Sequence, residues 1–301
     1  MRREPPNRAR RSGLAVLAIS CLLAAPAAAQ DAGAVVIDDR GVTVRFSQRP
    51  RRIIALLPSL TESVCALGAC DRLVGTDRFS NWPASVVGLP KLGGLDDAQI
   101  EHIVTLRPEM VLVSASMRVS DRLEALGVRV VVLETRNQAD VKRTLQLLGH
   151  ALGVPGKANE VWADIERAID QATARVPTTL RGQRVYFEVD TTPYAASAGS
   201  FVGEMLARMG LGNVVPAELG PFPKLNPEYV VRSQPDIVMA SQRALAGMAK
   251  RPGWGALRAL TEHRSCGFPS DRYELLLRPG PRMGEGAQIL ADCAQSIATG
   301  H

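Results

Sequence analysis

The sequence has 301 residues and a formal net charge of +6, with 36 Lys and Arg against 30 Asp and Glu. Residues 1–29 contain five of these Arg and one Glu, so the remainder has a net charge of +2. That balance gives no sign of the clustered basic face of a nucleic-acid-binding protein. The remaining length, about 270 residues, favours two lobes over a single core.

The first 29 residues are typical of a secretory signal peptide. Arg residues between positions 2 and 11 precede an apolar run over 13–25, and alanines follow at 27–29. The run is shorter than the roughly 20 apolar residues that span a bilayer, which argues against a membrane anchor. Cys21 lies inside the run and does not match a lipoprotein site, so we expect no lipid anchor. The pattern predicts cleavage after Ala29 and a soluble periplasmic protein.

Short apolar runs alternate with helical patterns over 53–133. The apolar runs are rich in β-branched residues or Leu, as strands are, and the order strand, helix, strand, helix indicates a parallel α/β layout. The predicted strands are 53–56, 111–113 and 130–133, and the predicted helices are 59–67 and 120–126.

The region 137–176 is helical in pattern, apart from the Gly and Pro residues at 153–156. Its second part carries Val161, Ile165 and Ile169 at helical spacing, with no Gly or Pro between them. A helix of about 20 residues is about 30 Å long, and bending it would break its own hydrogen bonds. We therefore predict a stiff linking helix over 155–176.

The first pattern returns in the second half of the chain, with predicted strands at 184–189 and 237–240 and a helix at 200–209. The predicted fold class is α/β, with two similar α/β lobes joined by one long backbone helix. We place the lobes at 50–152 and 182–298. Opposed lobes of this kind leave a ligand cleft between them.

An internal repeat supports the likeness of the two halves. The block EHIVTLRPEMVLV at 101–113 aligns with EYVVRSQPDIVMA at 228–240. In each block a short helix starts with Glu, a Pro seven residues later ends it, and an acid and an apolar strand follow. Upstream, PSLTE and GSFVGE each place a Ser that could cap a helix and a Glu in the first turn, Glu62 and Glu204.

Four Cys follow the signal peptide: Cys65, Cys70, Cys266 and Cys293. In an oxidising compartment they allow three disulfide pairings, which the sequence does not distinguish. If each lobe keeps its own pair, Cys266 and Cys293 would tie the last helix to its lobe. Cys65 and Cys70 could pair only if the helix ends between them, as Gly68 permits. No CxxC spacing indicates a metal site.

Several motifs occur in a fixed order: PSLTE, DRFSNWP at 77–83, the two repeat blocks, and RPGPR at 278–282. Together, over 50–298, they resemble the helical-backbone (class III) periplasmic substrate-binding proteins of ABC importers, which take up cobalamin, siderophores or haem. Among these the chain is most similar to the cobalamin-binding members. The resemblance implies a monomer without catalytic activity, cofactor or resident metal, which delivers a metal-bearing macrocycle or chelate to an inner-membrane ABC permease dimer.

The resemblance also implies residues that dock to the permease. Each lobe of the family carries one acidic residue that pairs with Arg residues of the permease dimer. The positions that we match to them are Glu62 and Glu204. We expect both carboxylates to be exposed at helix starts, where they could form charge-assisted contacts to a symmetric partner.

Aromatic residues in loops are the candidate ligand contacts, because flat side chains suit a flat macrocycle and lose little rotamer freedom. In cobalamin binders aromatic residues line the corresponding loops, but Leu92-Gly93-Gly94 here replaces one of them. Trp162 and Tyr186, on the linking helix and a strand, are expected to be packing residues. The five candidates are Phe79, Trp82, Tyr194, Phe222 and Trp254, of which Phe79, Tyr194 and Phe222 match the family's places.

Two other ligands remain open within the class. Haem would need a Tyr or His ligand to iron, for which Tyr194 and Tyr273 are candidates. A ferric siderophore would need several cations to meet its anionic oxygens. The candidates for that role are Arg78, Arg118, Lys224, Arg243 and Arg282. Bare metal ions are disfavoured, because no His, Asp and Glu cluster has ligand spacing.

A secreted hydrolase is the alternative from another class. The sequence has no Gly-x-Ser-x-Gly elbow, no phosphate-binding Gly-rich loop and no His-Glu-x-x-His motif. Turnover of generic esters or phosphates would indicate a hydrolase, whereas binding without turnover would exclude it. A sensory or structural protein without a ligand would show no thermal shift with cobalamin, haem or siderophores.

Overall fold

The computed structural model describes residues 1–4, 33–191 and 193–300. The predicted signal peptide and its cleavage site lie almost entirely outside these residues, so both stay predictions. Within the described part of the chain, no helix has the length and hydropathy needed to cross a bilayer. The described residues from 33 onward form one compact unit.

The first lobe is built on a four-stranded sheet. A hairpin of β1 (Ala34–Ile37) and β2 (Thr43–Phe46), which the sequence analysis missed, precedes it. The four strands of the sheet itself, β3 to β6, are all parallel and lie in the order β4-β3-β5-β6. They are buried almost throughout, as expected for strands covered on both faces. The elements are β3 (Ile53–Ala55), α1 (Pro58–Ala66), β4 (Leu73–Thr76), α2 (Ile100–Thr105), β5 (Met110–Val113), α3 (Ser120–Ala125) and β6 (Val130–Val132).

Two long helices follow, α4 (Gln138–Leu152) and α5 (Pro155–Ala174). The Asn137 side chain caps α4 by accepting a hydrogen bond of 2.8 Å from the Asp140 N–H. Gly153, with φ of 78°, ends α4, and Pro155 starts α5 at a position where a missing N–H costs nothing. The 20-residue α5 confirms the predicted linking helix and buries the predicted apolar stripe.

The second lobe repeats the plan around a second sheet. Strands β11, β10, β7 and β9 pair in parallel, and the short β8 pairs antiparallel with β7. The elements are β7 (Arg184–Asp190), β8 (Tyr194–Ala195), α6 (Phe201–Arg208), β9 (Gly212–Asn213), α7 (Pro227–Ser233), β10 (Ile237–Ser241), α8 (Gln242–Met248), α9 (Arg258–Thr261), β11 (Ser265–Phe268), α10 (Ser270–Leu276) and α11 (Met283–Thr299).

The hydrophobic core is continuous through both lobes. One cluster of buried side chains runs from the inner face of the first sheet, past α4, α5 and α11, to the inner face of the second sheet. Each sheet has a separate cluster on its other face. Helix α5 packs against α4 on one side and α11 on the other. Two similar α/β lobes joined by one backbone helix are therefore confirmed.

The predicted Ser caps have different outcomes in the two lobes. Ser200 caps α6, where its hydroxyl accepts a 3.0 Å hydrogen bond from the Gly203 N–H. The same prediction for Ser59 is wrong, because α1 already begins at Pro58, with Leu57 as a cap residue that makes no side-chain hydrogen bond. Ser59 therefore lies inside the helix, which shifts Glu62 beyond the first turn.

Disulfides join Cys65 to Cys70 and Cys266 to Cys293. Helix α1 ends at Ala66, and Gly68, with φ of 78°, reverses the chain before Cys70. The second disulfide ties α11, the last helix, to strand β11 of the second sheet.

Candidate ligand-binding cleft

A pocket of about 550 Å³ lies at the carboxyl ends of the strands of the first lobe. In open α/β sheets this edge is where ligands bind. Its lining from the first lobe lies in the segments that follow β3, β4 and β6, and the second lobe adds the end of α10 and the residues after it. The lining residues are Leu56, Leu57, Pro58, Ser59, Asp77, Phe79, Gly94, Leu95, Thr135, Glu274, Leu277, Arg278 and Pro279.

A second pocket of about 550 Å³ lies at the carboxyl ends of β10 and β11 in the second lobe. Glu274 lines both pockets. The two pockets therefore adjoin at this side chain, and we take them together as the candidate ligand-binding cleft. The second pocket is lined by Ser241, Gln242, Arg243, Ala246, Phe268, Ser270, Tyr273 and Glu274.

The buried carboxylate of Asp77 holds the loop that carries Phe79 in place. Asp77 accepts hydrogen bonds from the Phe79 N–H, at 2.7 Å, and from the Ser80 hydroxyl. Burial raises the pKa of Asp77, and these hydrogen bonds partly oppose the shift. Lys91 Nζ donates to the Ser80 carbonyl at 2.7 Å and to Thr76 Oγ1 at 3.0 Å. With its backbone held in this way, the Phe79 side chain faces the pocket and is 59% exposed.

Arg278 connects the two lobes at the wall of the cleft. From the second lobe its guanidinium donates to Glu62 Oε1 at 2.9 Å, to Asn81 Oδ1 at 2.9 Å and to the Phe79 carbonyl at 3.3 Å. It also donates to Glu274 Oε2 at 3.1 Å. One side chain therefore ties the aromatic loop of the first lobe to the acid at which the two pockets meet.

The predicted exposure of Glu62 is wrong. Glu62 is 1% exposed, because its place in the second turn of α1 turns it toward Arg278 and not toward solvent. Burial raises the pKa of Glu62, although the ion pair with Arg278 opposes this. Its Oε2 has no hydrogen-bond partner among the described residues. A buried carboxylate that is already paired within the chain is not available to a permease.

Glu204 is half-buried, and its Oε2 accepts a 2.7 Å hydrogen bond from the Gln138 N–H at the start of α4. Its docking role stays a prediction. Two other acids have the exposure expected of docking residues. Glu101 and Glu228 are exposed, and each is the second residue of its helix, α2 or α7, which precedes an inner strand of its sheet, β5 or β10. The sequence analysis missed them, although its own repeat blocks begin at these two positions.

Four of the five aromatic candidates keep some solvent exposure. Phe79 lines the first pocket, and Tyr194, 39% exposed, lies on β8. Phe222 is half-buried against Phe201, with ring centroids 5.8 Å apart. Trp82, 39% exposed, lies under the Arg282 guanidinium, 4.7 Å from its ring centroid, and lines a neighbouring pocket of about 520 Å³ beside α10 and α11.

Trp254 is fully buried, so its predicted contact with the ligand is wrong. Gly253, with φ of 80°, precedes a short turn that places the indole in the cluster of the second lobe. The ring packs edge-on against Tyr186 at 5.6 Å, and Arg251 covers it at 4.7 Å. Trp254 is therefore a core residue. Trp162 and Tyr186 are buried, as predicted.

The groups considered for other ligands differ in their surroundings. Tyr273 lines the second pocket, and its hydroxyl donates to the Glu188 carbonyl at 2.6 Å. Arg243 lines the same pocket, whereas Arg78 pairs with Asp97. Within the described residues, no group of three or more His, Cys, Asp or Glu side chains is placed to hold a metal ion.

The family model of periplasmic binding proteins matches residues 53–271, which include both sheets and the linking helix. The chain belongs to this family. The periplasmic binding proteins that it resembles include the uncharacterized ABC transporter substrate-binding lipoprotein YvrC of Bacillus subtilis. YvrC is 27% identical over 270 residues, which cover 86% of this chain and 84% of that protein.

Other similar proteins are named after two different ligands, vitamin B12 and heme. The vitamin B12-binding protein of Vibrio parahaemolyticus is 25% identical over 236 residues, covering 77% of this chain and 84% of that protein. The solved structure of the periplasmic heme-binding protein BhuT in complex with two hemes is similar with a TM-score of 0.69 and 25% identity. The likeness covers 82% of this chain and 98% of BhuT. The relatives are substrate-binding proteins of transporters, which implies a small-molecule ligand and a membrane permease as partners.

Proposed function

We propose that this protein is the periplasmic substrate-binding component of an ABC importer, that it captures a corrinoid such as cobalamin, and that it delivers the corrinoid to its permease as a monomer without chemical change. The observation that carries the proposal is the cleft in which two pockets of about 550 Å³ meet at Glu274. The vitamin B12-binding relatives match over both lobes and favour a corrinoid.

The cleft suits a large, flat ligand better than a small polar one. The first pocket combines apolar residues, Leu56, Leu95 and Leu277, with the exposed ring of Phe79. Apolar walls with few polar groups are typical of sites that bury most of a ligand's surface. The hydrogen bonds that fix the Phe79 backbone reduce the entropy that the loop would lose on binding.

The test is to purify the protein from the periplasm and record its absorption spectrum and native mass before any ligand is added. Corrinoids, haem and ferric chelates absorb differently, so a co-purified ligand identifies itself. Titration calorimetry with cyanocobalamin then measures affinity, with haemin and a ferric siderophore as competitors. Saturable binding of cyanocobalamin without turnover supports the proposal, whereas hydrolysis of ester or phosphate substrates would favour the secreted hydrolase.

Haem is the second candidate, favoured by the likeness to BhuT and by Tyr273 in the second pocket. A Tyr that binds ferric haem would have to release its hydroxyl from the Glu188 carbonyl. The same titration separates the candidates. Tighter binding of haemin than of cyanocobalamin, lost in Tyr273→Phe, would replace the corrinoid as the ligand.

We further propose that Glu101 and Glu228 are the permease-docking residues. Both carboxylates are exposed, both occupy the second position of a helix, and the two helices occupy equivalent places in the two lobes. Neither carboxylate has a hydrogen-bond or ion-pair partner among the described residues. Exposed charges of this kind act mainly through encounter and orientation of the partner.

Charge reversal tests the docking proposal. Glu101→Lys combined with Glu228→Lys should abolish ligand uptake by cells in which the variant replaces the wild-type protein, while ligand affinity of the purified protein stays unchanged. The matched control is Glu166→Lys combined with Glu218→Lys, which reverses two other exposed acids and should leave uptake intact. Uptake that survives in the first variant would contradict the proposal.

A further inference from the structure

A small third pocket adjoins the ligand cleft in the first lobe. Its volume is about 140 Å³, and it lies beside the loop that follows β5. Leu95 lines both this pocket and the first cleft pocket, so the two pockets adjoin at this side chain. The lining residues are Leu95, Asp96, Ala98, Ile100, Ser116, Arg118, Val119 and Arg122.

The small pocket carries an excess of positive charge. Two guanidinium groups, Arg118 and Arg122, line it with a single carboxylate, Asp96. Neither Arg has a hydrogen-bond or ion-pair partner in the part of the chain that the structure describes. Two arginines at the edge of the first cleft pocket are neutralised, Arg78 by Asp97 and Arg278 by Glu62 and Glu274.

The acids of the cleft itself are already engaged. Asp77 is buried and accepts two hydrogen bonds from its own loop. Glu274 accepts from Arg278. Among the described residues, the cleft and the small pocket therefore offer an incoming ligand three cations without a partner: Arg243 in the second cleft pocket, and the adjacent pair Arg118 and Arg122 in the small pocket.

We propose that Arg118 and Arg122 bind an anionic arm of the ligand, a phosphodiester or a carboxylate, while its macrocycle occupies the cleft. This inference deepens the proposed function and rests on it. The planar guanidinium fork matches both phosphate and carboxylate oxygens and can bind them in pairs. Ser116 also lines the pocket, and its hydroxyl shares a 2.9 Å hydrogen bond with the Ser114 hydroxyl. When Ser114 donates in that bond, the Ser116 hydroxyl hydrogen can be donated to an oxygen of the ligand.

The anion could belong to the nucleotide arm of a cobalamin or to the propionates of a haem, and paired ligands distinguish the two. Cyanocobalamin is compared with dicyanocobinamide, which lacks the phosphodiester. Haemin is compared with its dimethyl ester, which lacks the carboxylates. Affinities of all four are measured by calorimetry or fluorescence quenching on the mature protein.

The test variant is Arg118→Met combined with Arg122→Met. The control is Arg107→Met combined with Arg129→Met, which removes two exposed arginines of the same lobe next to the opposite, amino ends of β5 and β6. We expect the test variant to bind the ligand that carries the anionic arm, cyanocobalamin or haemin, roughly tenfold more weakly than wild type does, a change of about 1.4 kcal/mol. The test variant should bind the partner ligand that lacks the anionic arm with wild-type affinity. The control variant should bind all of these ligands with wild-type affinity.

The outcomes are distinct. If the test variant loses affinity for cyanocobalamin but not for dicyanocobinamide, the two arginines bind the phosphodiester. If it loses affinity for haemin but not for its dimethyl ester, they bind the carboxylates. Either result supports the inference. Two results overturn the inference while the proposed function stands: equal affinity of wild type and test variant for the ligand with the anionic arm, or an equal loss of affinity for both ligands of a pair. Failure of wild type to bind any of the four ligands overturns the proposed function and the inference together.

Discussion

Arg278 is the residue on which the wall of the cleft depends most, since its charge compensates the buried Glu62. Arg278→Met should lower the free energy of unfolding by about 3 kcal/mol at neutral pH, because it leaves that carboxylate buried without a partner. In a Glu62→Gln background the same substitution should cost clearly less. Thermal denaturation of the four proteins measures the coupling. Additive effects would contradict the pairing.

The effect of Arg278→Met should also depend on pH. Burial raises the pKa of Glu62 above the unfolded-chain value of about 4.3, so between the two values the folded protein binds a proton that the unfolded chain releases. The contribution of Glu62 to stability is therefore greatest below the unfolded value and falls as pH rises through the raised pKa. Removing Arg278 raises this pKa further, so the loss of stability should shrink toward pH 4.

Phe79 and Trp254 should respond oppositely to truncation. Phe79→Ala removes an exposed ring that lines the cleft, so ligand affinity should fall while the free energy of unfolding stays within about 0.5 kcal/mol of wild type. Trp254→Ala empties a core site and should lower the free energy of unfolding by about 4 kcal/mol. Urea denaturation and ligand titration on both variants test the contrast. A loss of affinity in a still-folded Trp254→Ala would contradict it.

The sequence predicts the burial of individual residues poorly, because burial depends on partners that are distant in the chain. Glu62 has the sequence surroundings of an exposed helical acid, but a guanidinium 216 positions away pairs with it. Trp254 has the surroundings of a loop residue, yet Tyr186 and Arg251 enclose it. The signal that does identify the exposed acids is the repeat, which places Glu101 and Glu228 at the same helical position.

Among the elements, α5 is held between α4 and α11 by close approach at two glycines. A Cβ on Gly284 of α11 would lie 2.5 Å from the Ala168 Cβ of α5, and one on Gly149 of α4 would lie 2.7 Å from the Ala158 Cβ. Neither neighbour is a flexible side chain that could turn away. Small residues at these crossings let the three helices pack as one layer between the sheets.

Gly284→Ala should therefore lower the free energy of unfolding by about 2 kcal/mol, because the helices must separate to admit a methyl group. Gly156→Ala in α5 is the matched control, since a Cβ there meets nothing within 4 Å. The control should be neutral or stabilising by up to about 1 kcal/mol, as for Gly to Ala in a helix. Chemical denaturation of both variants measures the difference, and equal stability would show that the layer yields easily.

Element prediction succeeded where a long local pattern determines the structure. The stripe of Val161, Ile165 and Ile169 fixes α5, and the Gly and Pro residues at 153–156 separate it from α4. Short strands have no such pattern. Strands β8 and β9 have two residues each and exist because they pair with β7, so neither could be predicted from local sequence.

For the whole molecule, the shared core makes the two lobes interdependent. Buried side chains of both inner sheet faces belong to one cluster, with α5 and α11 between them. Unfolding of one lobe would expose the apolar surface of the helices on which the other lobe packs. Such coupling favours one cooperative transition over stepwise loss of the lobes, and it limits how far the lobes can close on a ligand.

We therefore expect both lobes to unfold at the same denaturant concentration, and the tryptophans report on each. Trp82 lies in the first lobe and Trp254 in the second. A variant with Trp162→Phe and Trp254→Phe keeps the first reporter, and one with Trp82→Phe and Trp162→Phe keeps the second. In each variant the fluorescence midpoint should coincide with the midpoint from far-ultraviolet circular dichroism. A fluorescence transition that separates from the dichroism transition would mean that the lobe unfolds alone and that α5 is a flexible linker and not part of a common core.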